Sequence, residues 1–418
     1  MPRRLLALAA LPLLAALIPS AADTPARATS ANWAQWRGPS GQGYSDDTRA
    51  PLSWSETENL LWKTRLPGSG HSTPIVWGDR VFLTAASDRG AERYVLCVRA
   101  GDGKVLWQKT AARGVAPERS HVWNGWASPS CTTDGQHVYA FFGTPGLFCY
   151  DMEGKLVWKK SPGEFHSRHG FCSSPLLYKD MVIFNGDQDA VAYIVALDQA
   201  TGEERWRTDR PNRTRSYVPP VIFEAAGRPQ MVLSGSKCVA SYDPDTGKQI
   251  WIIDGPTEQF VASMVYAEGI FFITGGFPDW HVLGIKPDGQ GNVTETHILW
   301  RDKGQDICSY VPSPVAWGSH FFIVSDVGNA TCFDAKTGKR MWKEKLGRHH
   351  SASPVAAGGY LYFPDDNGIT YVVKAGPSYE LVSKNEVGEN CYASPALSRG
   401  RIYLRTAKSL FCIGEVTK

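Results

Sequence analysis

Thiols, imidazoles and aromatic rings recur in this chain a few residues ahead of a Ser-Pro or Val-Pro step. Cys172 stands two residues before Ser174-Pro175, Cys391 three before Ser394-Pro395 and Cys308 five before Ser313-Pro314. His71, Trp126, Tyr217, Tyr310, His350 and Tyr392 occupy similar positions, with His166 and His169 ahead of Cys172 and His349 ahead of His350. Rings and thiols that converge on a concave apolar mouth are what a small-molecule or peptide site needs. His and Cys together also suit a soft metal. No Cys-x-x-Cys or His-x-x-x-His pair occurs among them, so the spacing does not point to a metal. The candidate binding surface is therefore His71, Trp126, His169, Cys172, Tyr217, Tyr310, His350 and Tyr392, with no catalytic set and no metal set assigned. The plain alternative is that the same His and Tyr fill a channel and hydrogen-bond its carbonyls.

The elements that must position these residues come from a repeat. The phrase Gly-Lys-x-x-Trp or a close variant occurs at Gly103 to Trp107, Gly154 to Trp158, Gly202 to Trp206, Gly247 to Trp251 and Gly338 to Trp342. Leu60-Leu61-Trp62 and Ile298-Leu299-Trp300 keep the apolar run and the Trp without the turn, and Leu381-Val382 keeps the run with Val at the Trp position. That makes eight copies. A second element also recurs eight times: Ser72-Thr73-Pro74, Ser128-Pro129, Ser174-Pro175, Val218-Pro219-Pro220, Ala262-Ser263-Met264, Ser313-Pro314, Ser353-Pro354 and Ser394-Pro395. Proline has no amide hydrogen and belongs at a strand start or an unpaired edge. Each copy leads into a tight turn such as Gly78-Asp79, Glu268-Gly269 or Gly358-Gly359, then an alternating apolar stretch, which is a hairpin signature.

Each period reads as four short strands, because the apolar residues alternate by two rather than recurring at three and four. Eight such units close radially into an all-β, eight-bladed β-propeller, in which each twisted sheet buries both faces against its neighbours. The repeats begin on an outer strand at Leu60 to Leu66 and end on Ser409 to Ile413 with no outer partner. The first strand is expected to complete the last blade and so clasp the ring. Cys97, Cys149, Cys332 and Cys412 fall at one equivalent position, where blade 3 has Ala196 and blade 4 has Ser241, and are expected to be small packing residues. The insertion Pro287 to Glu295 is expected to extend one blade edge.

Composition agrees with a packed ring. Aromatic residues make up 11% of the 418 residues and charged residues 20%, which excludes disorder. The net charge of +3 gives no electrostatic case for nucleic acid. Arg3 and Arg4 precede the apolar run Leu5 to Leu17 and the small residues Ser20-Ala21-Ala22, the three parts of a secretory signal peptide with cleavage after Ala22. The run is too short to span a bilayer. The expected organisation is a signal peptide over 1–22, an N-terminal extension over 23–55 and the propeller over 56–418, periplasmic or secreted, monomeric, with no transmembrane segment in the mature chain. Nine Cys is an odd number, so at least one thiol is free or pairs between chains.

The pattern Asp-x-x-Thr-Gly-Lys-x-x-Trp, clearest at Asp243 to Trp251 and Asp334 to Trp342, resembles the pyrroloquinoline-quinone-like (PQQ-like) repeat. That repeat occurs in quinoprotein alcohol dehydrogenases and in the outer-membrane assembly factor BamB. Trp33-Ala34-Gln35-Trp36-Arg37-Gly38-Pro39 and Gly143 to Asp151 are also similar to a group of secreted bacterial proteins of this repeat type. The dehydrogenase resemblance implies a quinone in the axial funnel beside Ca²⁺, between an indole and a ring of two adjacent disulfide-bonded Cys. This chain has no Cys-Cys pair, and about 45 residues per blade leave no room for the long insertions that roof the funnel. The resemblance to BamB implies a non-catalytic platform without a cofactor that binds an envelope protein, peptide or glycan. A PQQ- or metal-dependent oxidoreductase is the alternative.

Overall fold

Every copy of the repeat folds as an antiparallel sheet in the computed structural model, which describes residues 31–415 apart from 117–119, 122, 164, 190, 211–215 and 236. Blade 1 runs through Ile75–Trp77, Arg80–Ala86, Arg93–Arg99 and Val105–Ala112 from inside to outside. Blades 2 to 7 follow in chain order, with innermost strands Thr132–Thr133, Leu176–Tyr178, Val221–Ala225, Val265–Ala267, Val315–Trp317 and Val355–Ala357. Blade 8 takes Ala396–Ser398, Arg401–Arg405 and Ser409–Gly414 from the C-terminal end and its outer strand, Leu60–Arg65, from the other end of the chain. Trp62 lies opposite Cys412, so the expected clasp forms. Among the described residues the helical content is one short 3-10 turn, Asp88–Gly90, and no helix is long and apolar enough to cross a membrane.

The outer-strand Trp explains the small residue on the third strand. Trp107 lies opposite Cys97, Trp158 opposite Cys149, Trp206 opposite Ala196, Trp251 opposite Ser241, Trp300 opposite Gly284 and Trp342 opposite Cys332. An indole needs a shallow floor, and burial pushes the Cys97, Cys149, Cys332 and Cys412 thiols up to about 12, so they pack and do not ionise. All nine Cys are free thiols. The indole also grips the next blade. Trp62 Nε1 donates to Ala100 O at 2.9 Å, Trp107 Nε1 to Met152 O at 2.9 Å and Trp158 Nε1 to Gln199 O at 3.0 Å. Each ring lies on a turn glycine of that neighbour. A Cβ on Gly103, whose φ is +75°, would come within 2.6 Å of the Trp62 ring.

Two outer edges depart from expectation. In blade 7 the residue opposite Val372 is Ser383, while Val382 falls in the bulge, so Ser383 and not Val382 holds the Trp position. The missing indole is supplied by Trp54, buried and stacked on Tyr362 with ring centroids 6.3 Å apart, much as Trp107 lies on Phe82 in blade 1 at 6.0 Å. The insertion Pro287 to Glu295 does extend a blade, but the edge belongs to blade 4. Gly291–Asn292 pairs in parallel with Trp251 and Ile252 and seals Trp251, whose Nε1 turns to Gln230 Oε1 of its own blade at 2.8 Å.

Around the axis the blades are joined by serine. The amide of Thr73 donates to Ser130 Oγ, Ser130 to Ser174, Ser263 to Ser313, Ser313 to Ser353 and Ser353 to Ser394, each at 2.9 Å. In blade 2 the member of this belt is Ser130, two residues beyond the Ser128 of the repeat, and the belt is interrupted at Val218. Residues 33–45 lie against the innermost strands of several blades on this axis. Trp33 pairs with Val76, Tyr44–Ser45 pairs with Ala356 and Ala357, and the buried Arg37 donates to Pro354 O at 2.6 Å and to Pro314 O.

If the clasp and the indole docking hold the ring, Trp62→Ala should lose about 3 to 5 kcal/mol in urea unfolding. Deletion of residues 56–68 should lower the melting temperature clearly, and an unchanged melting temperature would contradict the clasp.

Candidate binding site in the axial funnel

Just before each belt residue the chain enters from the loops at one end of the propeller, and these entering segments surround an axial cavity of about 660 Å³. Its deep wall includes the belt residues Ser174, Ser313, Ser353 and Ser394 together with Trp36, whose Nε1 is 3.4 Å from Ser263 Oγ. The lining is largely apolar, with a minority of polar groups held in fixed pairs.

Six of the eight expected residues line it: His71, His169, Cys172, Tyr217, Tyr310 and Tyr392. His169 Nδ1 is 2.8 Å from the Tyr217 hydroxyl, and the Cys172 thiol donates to Tyr217 O at 3.3 Å. Burial pushes that thiol up to about 12, so it is a packing group and not a nucleophile. The Tyr310 hydroxyl donates to Gln259 Oε1 at 2.8 Å, and His71 packs on Tyr392 with ring centroids 5.0 Å apart.

Two of the eight lie elsewhere. His350 is fully buried, with its ring nitrogens 2.8 Å from Pro364 O and 3.1 Å from Leu346 O, and it is the preceding His349 that faces the cavity. Trp126 lines a separate lateral cavity, because the turn at 124–129 sends Asn124 and Ser128 toward the axis and Trp126 away from it. Cys308 and Cys391 are likewise buried behind the wall. Two neighbouring polar residues also line the cavity, His121 and Arg168, while Glu118, Arg119, Arg213 and Arg215 lie outside the described residues.

Sequence reasoning did not place Trp36, Trp123, Trp280 or Asp326 here. Trp123, 52% exposed, stands over the His349 ring at 4.7 Å and beside His121 at 5.2 Å. Asp326 accepts the amides of Tyr310 at 2.7 Å and Val311 at 3.1 Å, although burial still drives its carboxyl above the usual range. Asp366 accepts the Ser351 amide at 2.7 Å and meets His349 Nδ1 at 2.6 Å, which raises the imidazole. Both carboxylates are thus occupied in holding the loops that carry Tyr310 and His349.

An eight-bladed ring with indole-docked outer strands and an aromatic axial cavity defines a PQQ-like repeat β-propeller. The sequence model described as outer membrane protein assembly factor BamB matches residues 44–125, 91–275 and 293–414, and the chain belongs to that family. BamB of Shewanella oneidensis is 27% identical over 265 residues, which are 59% of this chain and 63% of the relative, so the match spans less than two thirds of that protein's length. The crystal structure of BamB from Moraxella catarrhalis superposes with a TM-score of 0.62 at 14% identity, covering 86% of this chain and 97% of that one. A quinohemoprotein alcohol dehydrogenase from Comamonas testosteroni superposes with a TM-score of 0.66 at 11% identity, covering 94% and 82%. At these identities the two structures show the shared fold alone.

The second likeness raises the question of whether this funnel suits a quinone with Ca²⁺. Calcium takes six to eight oxygens. The described lining offers one carboxylate, Asp326, with each oxygen already on an amide, and no group of three or more His, Cys, Asp or Glu stands together among the described residues. This donor set does not fit that cofactor.

Burial against the cavity wall, with Arg405 adding repulsion, pulls His71 down to about 4. Between pH 6.5 and 4 the unfolded chain therefore takes up a proton that the folded chain refuses, so stability falls as pH falls. His71→Gln should remove about 2 kcal/mol of the loss between pH 7 and pH 4.5 in urea unfolding. An equal loss in both proteins would contradict this environment for His71.

Proposed function

We propose that this protein is a non-catalytic binding or assembly platform of the cell envelope, exported by its signal sequence, acting as a monomer, and holding part of an envelope protein, a peptide or a glycan at the mouth of its axial funnel. The observation that carries this is the chemical state of the cavity lining. Its rings are fixed by one another and by the Gln259 side chain, its thiol is protonated and bonded to a backbone carbonyl, and its carboxylate is committed to amides. Catalytic groups need a free lone pair or a transferable proton within reach of a substrate. Rigid rings around an apolar hollow suit recognition, because little conformational freedom is lost when they close on a ligand. Family membership supports the same reading, since relatives of this family carry the name outer membrane protein assembly factor.

Trp36, Trp123 and Trp280 make the cavity fluorescent. Titration of residues 23–418 with extended peptides and with short oligosaccharides should change the emission of the wild-type protein, and Tyr217→Ala together with Tyr310→Ala should weaken the effect at least tenfold. Dye reduction on adding pyrroloquinoline quinone, Ca²⁺ and an alcohol would overturn the platform reading in favour of an oxidoreductase.

A further inference from the structure

Beside the axial cavity lies a second one of about 350 Å³, lined by Trp126, Pro129, Phe142, Phe165 and Phe171. Two segments form the partition. Asn124 and Ser128 face the axial side while Gly125, Trp126 and Pro129 face the lateral side, and His169 and Cys172 face the axial side while His166, Gly170 and Phe171 face the lateral side. Asn124 Nδ2 donates to His169 O at 2.9 Å and ties the two segments together. Among the described residues Arg168 alone lines both cavities.

Among the described residues most of the other titratable groups around the partition have partners. Asp326 accepts two amides and Asp366 holds His349. Asp189, in the lateral wall, accepts the Arg168 amide at 2.8 Å through Oδ2. His121 Nδ1 accepts the Trp123 amide at 3.3 Å, and His169 is joined to Tyr217. His71 packs on Tyr392, and His166 lines the lateral side. The guanidinium of Arg168, in contrast, meets no carboxylate or carbonyl at bonding distance among the described residues. It is an exposed guanidinium at the junction of the largely apolar axial cavity and a lateral one whose rings share the wall with Thr144, His166, Ser167 and Asp189, and its planar donors suit a carboxylate gripped through two parallel N–H bonds.

We propose that the ligand is an apolar carboxylic acid, its carboxylate on Arg168 at the junction and an aromatic or aliphatic body in the lateral cavity among Trp126, Phe142 and Phe165. This rests on the axial funnel being a binding site, and it extends that site through Arg168 into the lateral cavity. The acid has two sources, a free small molecule or the C-terminus of a peptide.

The test uses 4-phenylbutyrate and its uncharged amide, and a dipeptide ending in phenylalanine with a free or an amidated C-terminus, each titrated by calorimetry into residues 23–418. The acid forms should bind at least tenfold tighter than the amides. Arg168→Gln should abolish that preference with an unchanged melting temperature, Arg168→Lys should keep part of it, and Trp126→Ala should weaken acid and amide alike. Tighter binding of phenylbutyrate than of the dipeptide acid assigns a small molecule, and the reverse assigns a peptide terminus. Equal binding of acid and amide, or a preference unaltered in Arg168→Gln, would overturn the acid assignment while leaving the cavity as a binding site. Binding of none of the four probes would overturn both.

Discussion

The hydrogen bond from an inner-strand amide to the serine hydroxyl of the next blade is the contact on which the site depends. Every blade must start its innermost strand at the axis, where in all but blade 5 a proline removes one amide from use. An adjacent amide is kept, and from Thr73 to Ser174 and from Ser263 to Ser394 it is satisfied by a neighbour's hydroxyl at 2.9 Å. A buried amide without a partner costs about 1 to 3 kcal/mol, so blades 1 to 3 and blades 5 to 8 are each held to their neighbours at a fixed height. The residues immediately upstream, among them His71, Cys172, Tyr310, His349 and Tyr392, inherit that height and become a ring around one cavity. At the rim the indole does the equivalent task, linking an outer strand to the next blade's turn, so the ring is tied at both radii.

The N-terminal extension turns this ring into a vessel. Its backbone pairs with blades 1 and 7, and Arg37 reaches the carbonyls that precede the inner strands of blades 6 and 7. Trp36 contributes to the cavity wall and Trp54 replaces the indole that blade 7 lacks. One segment therefore contributes both to the hollow and to the packing of an outer blade edge.

The periodic part of this structure was legible in the residues. Four Cys at one repeat position implied a small slot, and the reason is the indole opposite them. The clasp followed from a chain that begins on an outer strand and ends without one. Register was legible only where the repeat is regular. In blade 2 a second serine two residues on took the belt position, and in blade 7 the bulge moved the Trp position from Val382 to Ser383, a shift that only strand pairing reveals. For the site, spacing ahead of the Pro step told which residues enter near the axis but not which way each side chain turns. His349 and His350 are neighbours in sequence, and only one of them faces the cavity. Trp36 carried no periodic signal, since it lies outside the repeat, and Trp123 sits in a loop whose path no local pattern fixes.

The central claim is that the axial mouth is the working surface of this propeller. Hydrogen–deuterium exchange read by mass spectrometry, with and without a saturating bound ligand, tests it without choosing residues in advance. Protection confined to the segments around 121–126, 166–172, 305–313 and 349–353 is the result expected. Protection confined to the outer strands, such as Val105–Ala112 or Leu156–Lys160, with the axial segments unchanged, would contradict it.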